Sequence, residues 1–459
     1  MKRNRVQGPE YRGVLEGFYG PRWTHADRLA LLDKMPAWRM NLYIYAARND
    51  PYHRYGWAVP YPRDEMRRFA ALAERAALRD AMLSIAISPG PDYDHTRKRH
   101  RDLLMRKLGQ FVDLGCTLFP IFYDGADAPV DFNGPSGAAH AEKQAAVING
   151  FLEKLSRQAP GARVMCCPSE FGSAEKSDYL CRLHARLDPR VMVMCTSVDK
   201  PDPGEVRTHC PLTWPKKFTN GGAERYARNF GRKPFLWDNF NCSDFSMNRL
   251  NWSPYSGRGD RLDALCAGIV LNPQHLALLN DPVFGTAGEF FGNPRAYHPG
   301  RAMDRSLAVC LGKEGARVGR ILSKWYTSEW SGYSSRELNL PGLKAGLSGS
   351  RAGRLLLLRR IKIILEPVAG LERAFDRTLM PPDWACHLSA YVRLLTGWAR
   401  AVEALCSAAH LEMPVSPEQA GAARARLKEL RGADNRLPDS LLAYLEELVD
   451  GVSAGAVVK

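Results

Sequence analysis

The chain has 459 residues, 45% of them hydrophobic and 25% charged, the proportions of an ordinary globular protein with material for one large core and a second domain. No apolar run reaches the roughly 20 residues a membrane helix needs, and the basic N-terminus MKRNRVQGPEYRG is not followed by an apolar segment, so the expectation is a cytoplasmic protein with no membrane partner. The 64 Lys and Arg outnumber the 49 Asp and Glu for a formal charge of +15. That excess is spread thinly along Arg-rich stretches such as MRRFAALAERAALRD, and no basic run is interleaved with exposed aromatics, which argues for a solvated basic surface and against a nucleic-acid partner. The 11 cysteines show no paired metal spacing and are read as reduced core thiols.

In chain order the first short apolar run is GVLEGF (13–18), followed by the amphipathic stretch ADRLALLDKMPAW (26–38). NLYIYAA (41–47) precedes RDEMRRFAALAERAALRD (63–80), MLSIAIS (82–88) precedes RKRHRDLLMRKLGQFVDL (97–114), and FPIFYD (119–124) precedes AEKQAAVINGFLEKLSRQ (141–158). RVMCCPS (163–169), VMVMCTS (191–197), PFLWDN (234–239) and AGIVLN (267–272) complete eight strand-like runs. Alternation of short apolar runs with helical stretches is the pattern of a parallel sheet, and eight β–α units in this length predict a (β/α)8 TIM barrel.

From AYHPGRAMDRSLAVCLG (296–312) onward the pattern is helical. RLLLLRRIKIILEPVAGLERAF (354–375), HLSAYVRLLTGWARAVEALCSAA (387–409), EQAGAARARLKELRG (418–432) and LPDSLLAYLEELVDGV (437–452) carry apolar residues at three- and four-residue spacing, broken by Pro and Gly. The expected organisation is a tail over 1–10, a barrel over 11–298 and an all-α helical bundle domain over 299–459.

Polarity gathers where the apolar runs end: Glu16 and Gly17, Arg48 to Asp50, Ser88, Asp124, Ser169 and Glu170, Thr196, Asp238 and Asn239, and Asn272. Strand C-terminal ends converge on one rim of a barrel, the rim where barrel enzymes carry their sites. Carboxylates, amides and aromatics at nearly every end exceed what capping requires.

GVLEGFYGPRW (13–23) and NLYIYAARNDPYHRYGW (41–57), with ISPG (87–90), LGC (114–116), CPSE (167–170), LWDNFNCSD (236–244), PYSGR (254–258) and LNP (271–273), closely resemble, in order, the barrel of glycoside hydrolase family 84. That family contains protein O-GlcNAcases and other β-N-acetylglucosaminidases. NPRAYHPGRAMDRSL (293–307) resembles the entry to the family's helical stalk, and such stalks can pair protomers, so the resemblance allows a homodimer through the helical domain. It implies retaining hydrolysis of a β-linked N-acetylhexosaminide, on a small glycoside or a glycoprotein. The substrate's own acetamido oxygen is the nucleophile there, and no cofactor is needed.

Two carboxylates are wanted, one orienting the acetamido N–H and one serving as general acid and base; in the family they are consecutive, at the end of the fourth strand. Counted without gaps, the first falls on Asp124 and the second on Gly125. Three readings stay open: Asp127 swings in as a displaced acid, the permissive Gly125 and Ala126 lying between; the register slips by one, making Asp124 the acid with Tyr123 in the orienting position; or acid catalysis is lost.

By position, Gly17, Arg48, Asn239, Asp244 and Asn272 match residues that bind the sugar hydroxyls, and Cys167 and Trp237 match the walls of the acetamide pocket. Arg48 stands where the family has Lys, Phe171 where it commonly has Tyr, and the sixth run lacks the Trp often found there. His53 and His140 stand apart from any metal-like spacing, and there is no phosphate loop, nucleophile elbow or dinucleotide fingerprint. Neither a metal nor a cofactor is implied.

Overall fold

The computed structural model describes residues 9–89, 92–94, 96–124, 131–199, 217–244, 247, 250–326, 366–368, 370–376, 380–410, 421 and 425, without the side chains at 394, 398 and 401–410. Eight parallel strands follow the eight apolar runs: β1 (Tyr11–Glu16), β2 (Leu42–Tyr45), β3 (Met82–Ile85), β4 (Leu118–Phe122), β5 (Arg163–Cys167), β6 (Met192–Cys195), β7 (Phe235–Asp238) and β8 (Gly268–Leu271). Between them lie α1 (His25–Lys34), α2 (Arg63–Leu78), α3 (Lys98–Asp113), α4 (Pro135–Gln158), α5 (Asp178–Arg186), α6 (Asn220–Phe230) and α7 (Leu262–Leu265). The helix starts are written locally. Thr24 and Asp27 form a reciprocal capping box on α1, and Ser177 and Thr219 accept backbone N–H groups as the caps of α5 and α6.

The strands pair in the order β3-β2-β1-β8-β7-β6-β5-β4. At the β3/β4 seam the ladder shrinks to one bridge, Ile87 with Ile121, held by Ile87 N to Pro120 O (3.0 Å) and Phe122 N to Ile87 O (2.9 Å). Pro120 explains the shortfall. Its carbonyl points at β3, so the N–H that proline lacks is the donor that would have pointed there too. The Ser84 hydroxyl adds a bond across the seam to Leu118 O at 2.6 Å. The eight strands thus make a nearly closed (β/α)8 barrel.

Leu15, Leu42, Ile44, Ala46, Ala86, Leu118, Phe122, Met165, Cys167, Met194, Phe235, Trp237 and Val270 fill one buried cluster. These are alternate residues along their strands, the face that points into a barrel. Each large side chain sequestered there contributes about 1.5–3 kcal/mol.

Residues Met1–Asp244, Tyr255–Ala277 and Phe284–His298 form one compact unit, and Phe245–Pro254, Leu278–Val283 and Pro299–Lys459 the other. After β8 comes α8 (Asp281–Gly292). The described helices of the second unit are α9 (Pro299–Trp325), α10 (Leu371–Asp376) and α11 (Pro382–His410). Gly312, at φ 75°, interrupts α9. Within this unit the Tyr326 hydroxyl donates to Tyr391 O (3.0 Å), and Trp252 packs on Trp384 with centroids 6.0 Å apart. The helical stretches expected over 418–432 and 437–452, and most of 354–375, lie outside the described residues. No described helix is long and apolar enough to cross a membrane.

The cysteine expectation needs one correction. Cys116, Cys166, Cys167, Cys195, Cys242 and Cys266 are buried, but Cys181 and Cys386 are exposed. Both sit on amphipathic helices, where an apolar-looking segment still has a solvent face.

Candidate active site

Strand alternation sorts the polar residues at the strand ends. Continuing the inward parity by two residues from Leu15, Ala46, Phe122, Trp237 and Val270 leads to Gly17, Arg48, Asp124, Asn239 and Asn272. The opposite parity takes Glu16 and Asp238 outward. Glu16 is buried against Arg28 of α1 (2.8 and 2.7 Å) and the Tyr43 hydroxyl, while Asp238 holds Arg258 (2.8 Å to Nε) and the Tyr255 hydroxyl (2.8 Å). These two carboxylates, grouped by sequence with the rim, are bound up in buried ion pairs.

The inward groups meet one another. Arg48 donates through Nε to Gly17 O (3.2 Å) and through Nη2 to Asp124, in an ion pair whose side chains are 5% and 12% exposed. Its guanidinium lies 5.6 Å from the Trp237 ring centroid and 5.5 Å from that of Tyr19. Two atoms of the pair, Arg48 Nη1 and Asp124 Oδ1, are buried and have no partner among the described residues. A buried donor and a buried acceptor left open cost free energy unless a ligand or solvent meets them.

A second chain of bonds crosses the mouth. Trp237 Nε1 donates to Asn239 Oδ1 (2.9 Å), which also receives Asn272 Nδ2 (2.9 Å); Asn272 Oδ1 accepts from Gly17 N (3.2 Å). Asn272 Nδ2 also reaches Cys242 Sγ at 3.2 Å, and the Cys242 thiol donates to Asp244, whose Oδ1 takes the Tyr19 N–H at 2.7 Å. Gly17 leaves room here for its neighbours, since a Cβ would lie 2.2 Å from Leu15 Cδ2 and 3.0 Å from Trp237 Cζ2, and these side chains would have to shift.

Burial and charge set the protonation states. Burial disfavours the Arg48 cation, but Asp124 more than compensates and holds its pKa above the usual value. Burial raises the Asp244 carboxyl, against the lowering pull of Tyr19 N–H and the Cys242 thiol. The Cys167 thiol is pushed well up, by burial and then by Asp124, so it is a neutral wall and not a nucleophile. His53, buried with Nδ1 3.0 Å from Ala86 O, is pushed down to about 3 by burial and by Arg48, and is neutral. Phe171 packs against the interior cluster, and Phe122 meets Trp237 at 5.2 Å.

Of the sequence-predicted residues, Gly17, Arg48, Asp124, Trp237, Asn239, Asp244 and Asn272 are joined by these bonds and ring contacts, with Cys167 and Phe171 packed beneath. Asp127 and Gly125 lie outside the described residues. Cys242 was not singled out, although it stands inside LWDNFNCSD. A thiol carries no sequence signal of a hydrogen-bonding role. Among the described residues no cluster of His, Cys, Asp or Glu could hold a metal.

The sequence profile of the beta-N-acetylglucosaminidase family matches residues 12–322. The chain belongs to this family of glycoside hydrolases. Among the curated relatives of this chain are the protein O-GlcNAcases of Rattus norvegicus and Mus musculus, each 28% identical over 270 residues, 57% of this chain and 28% of theirs. The match therefore spans little more than a quarter of those relatives. A mutant of the Thermobaculum terrenum O-GlcNAc hydrolase shares the fold at 21% identity, with a TM-score of 0.78 and 97% of each chain covered.

Proposed function

We propose that the protein is a retaining hydrolase of β-linked N-acetylhexosaminides, carried on protein or on a small glycoside, working by substrate-assisted catalysis. Asp124 Oδ1 accepts the acetamido N–H and fixes the acetamide so that its carbonyl oxygen attacks C1. As the C1–oxygen bond breaks, the leaving oxygen takes a proton from the general acid and an oxazoline forms. Water then adds to C1 as the bond from C1 to the oxazoline oxygen breaks and the acetamide re-forms, and it returns a proton to the general acid, with net retention. Gly17, Arg48, Asn239, Asp244 and Asn272 read the hydroxyls, while Cys167, Trp237 and Phe171 wall the acetamide. Asp127 is the general acid in this reading.

One observation carries it. Of the strand-end carboxylates Glu16, Asp124 and Asp238, Asp124 continues the inner face and keeps an oxygen with no partner among the described residues. The same parity supports the ungapped count, since Tyr123 falls on the other side of the strand. The test is turnover of aryl N-acetylglucosaminides, which need little acid assistance. Asp124→Asn is expected to lower kcat/KM by about 10²- to 10⁴-fold; wild-type rates in that variant reject the role.

Gly125 favours a second reading, an N-acetylhexosamine-binding protein that no longer turns substrate over. Calorimetric binding of N-acetylglucosamine with no release of aryl alcohol selects it.

A further inference from the structure

Lys107 lies with no exposure at all on α3, the helix that precedes β4. Its Nζ donates to the carbonyls of Tyr52 and Gly56 (3.0 Å to the latter) and sits 4.7 Å from the Tyr61 ring centroid. All three acceptors belong to the β2–α2 connection, the segment that also carries Arg48. Three residues along α3, Gln110 grips the end of that connection, taking Tyr61 N on Oε1 (2.9 Å) and donating Nε2 to Tyr61 O (3.0 Å).

The rest of the connection is tied to the catalytic carboxylate. Asp50 gathers the Tyr45 hydroxyl (2.5 Å), the Tyr61 hydroxyl (3.2 Å) and Tyr52 N (2.7 Å). His53 O accepts from Ser88 N (3.2 Å), and the Arg54 guanidinium reaches the backbone carbonyl of Asp124 at 3.5 Å. Arg48 and Arg54 therefore hold the side chain and the backbone of Asp124 from a segment whose middle is pinned on an ammonium. A cation with no exposure is costly to keep. A purely structural role would be met as well by an uncharged side chain.

We infer that Lys107 is a positioning residue that sets the β2–α2 connection, and through Arg48 and Arg54 the placement of Asp124, so that activity depends on its charge. This rests on the reading of Asp124 above. Asp50, His53 and Tyr61 face it from the connection. Burial pushes the Lys107 ammonium down to about 7, against the pull of Asp50, whereas His53 is neutral throughout the relevant range. Loss of the proton removes the charge assistance of both carbonyl bonds and the ring contact together.

The experiment is a kcat/KM profile from pH 5.5 to 9 with an aryl N-acetylglucosaminide, for the wild type, Lys107→Met and Lys107→Gln, alongside melting curves. The wild type is expected to lose activity as pH rises through about 7. Both variants lack that limb, with Lys107→Met lower by about tenfold at pH 6 and Lys107→Gln, which keeps amide donors, partly rescued. A limb unchanged in both variants, or activity lost only in step with melting temperature, overturns the inference and leaves the function intact. Where the wild type binds but does not turn over, the same series is read as the pH dependence of N-acetylglucosamine affinity. Neither binding nor turnover by the wild type overturns the functional reading itself, and the inference with it.

Discussion

Arg48 and Asp124 divide one ion pair between two jobs. Each uses one limb on its partner and leaves one buried atom with no partner among the described residues, so the pair offers both a donor and an acceptor to a polar ligand. Gly17 makes that arrangement possible, because its missing side chain lets the Trp237 ring close over the peptide. Gly17→Ala would push a Cβ against Leu15 and Trp237. Overpacking of that kind costs about 1–3 kcal/mol, and displacement of Trp237 loosens its bond to Asn239. N-acetylglucosamine affinity measured by calorimetry is expected to fall about tenfold or more, and an unchanged Kd would show that Trp237 does not define the pocket.

At the scale of the strand, a single residue of register separates chemistry from support. Glu16 and Gly17 are adjacent, as are Asp238 and Asn239, yet in each pair one member is held by a buried arginine outside the barrel interior and the other continues the inner face. Glu16→Leu leaves the Arg28 cation buried without its partner, and breaking a buried pair typically costs about 3–5 kcal/mol. Urea unfolding should show that loss, while kcat/KM per folded molecule stays within about twofold. A hundredfold drop in rate at unchanged stability would instead make Glu16 catalytic. The eight strands and their polar ends were legible because barrel strands are apolar throughout and release polarity only on leaving the core. Which ends point inward was not, because sequence shows the run but not the strand boundary. β1 begins at Tyr11, two residues before the run that suggested it. The roles of Lys107 and Cys242 were invisible for another reason: each has a partner distant in sequence, and neither residue type advertises buried hydrogen bonding.

Over the whole molecule, two buried histidines and the buried Lys107 share a direction. His53 and His184 are both held down to about 3 from an ordinary 6.5, chiefly by burial. His53 is fully buried beside Ala86 O, and His184 is stacked on Phe230 at 4.3 Å. With the folded value below the unfolded one, the unfolded chain binds more protons between about 6.5 and 3, so stability is complete above 6.5 and drains away as pH falls through that window. At pH 4.5 each histidine has given up about 2–3 kcal/mol. Lys107 obeys the same sign higher up, its lowered value making the folded state less costly as pH rises from about 7 toward 10.5. Urea midpoints should therefore fall between pH 7 and 4.5, and His53→Gln and His184→Gln should each flatten that fall. Lys107→Met, relieved of a desolvated charge, should hold or raise the midpoint at pH 7 while its activity drops, which separates a stability cost from a functional gain in one side chain. A midpoint that falls together with activity in Lys107→Met would mean that the ammonium is there to hold the fold alone.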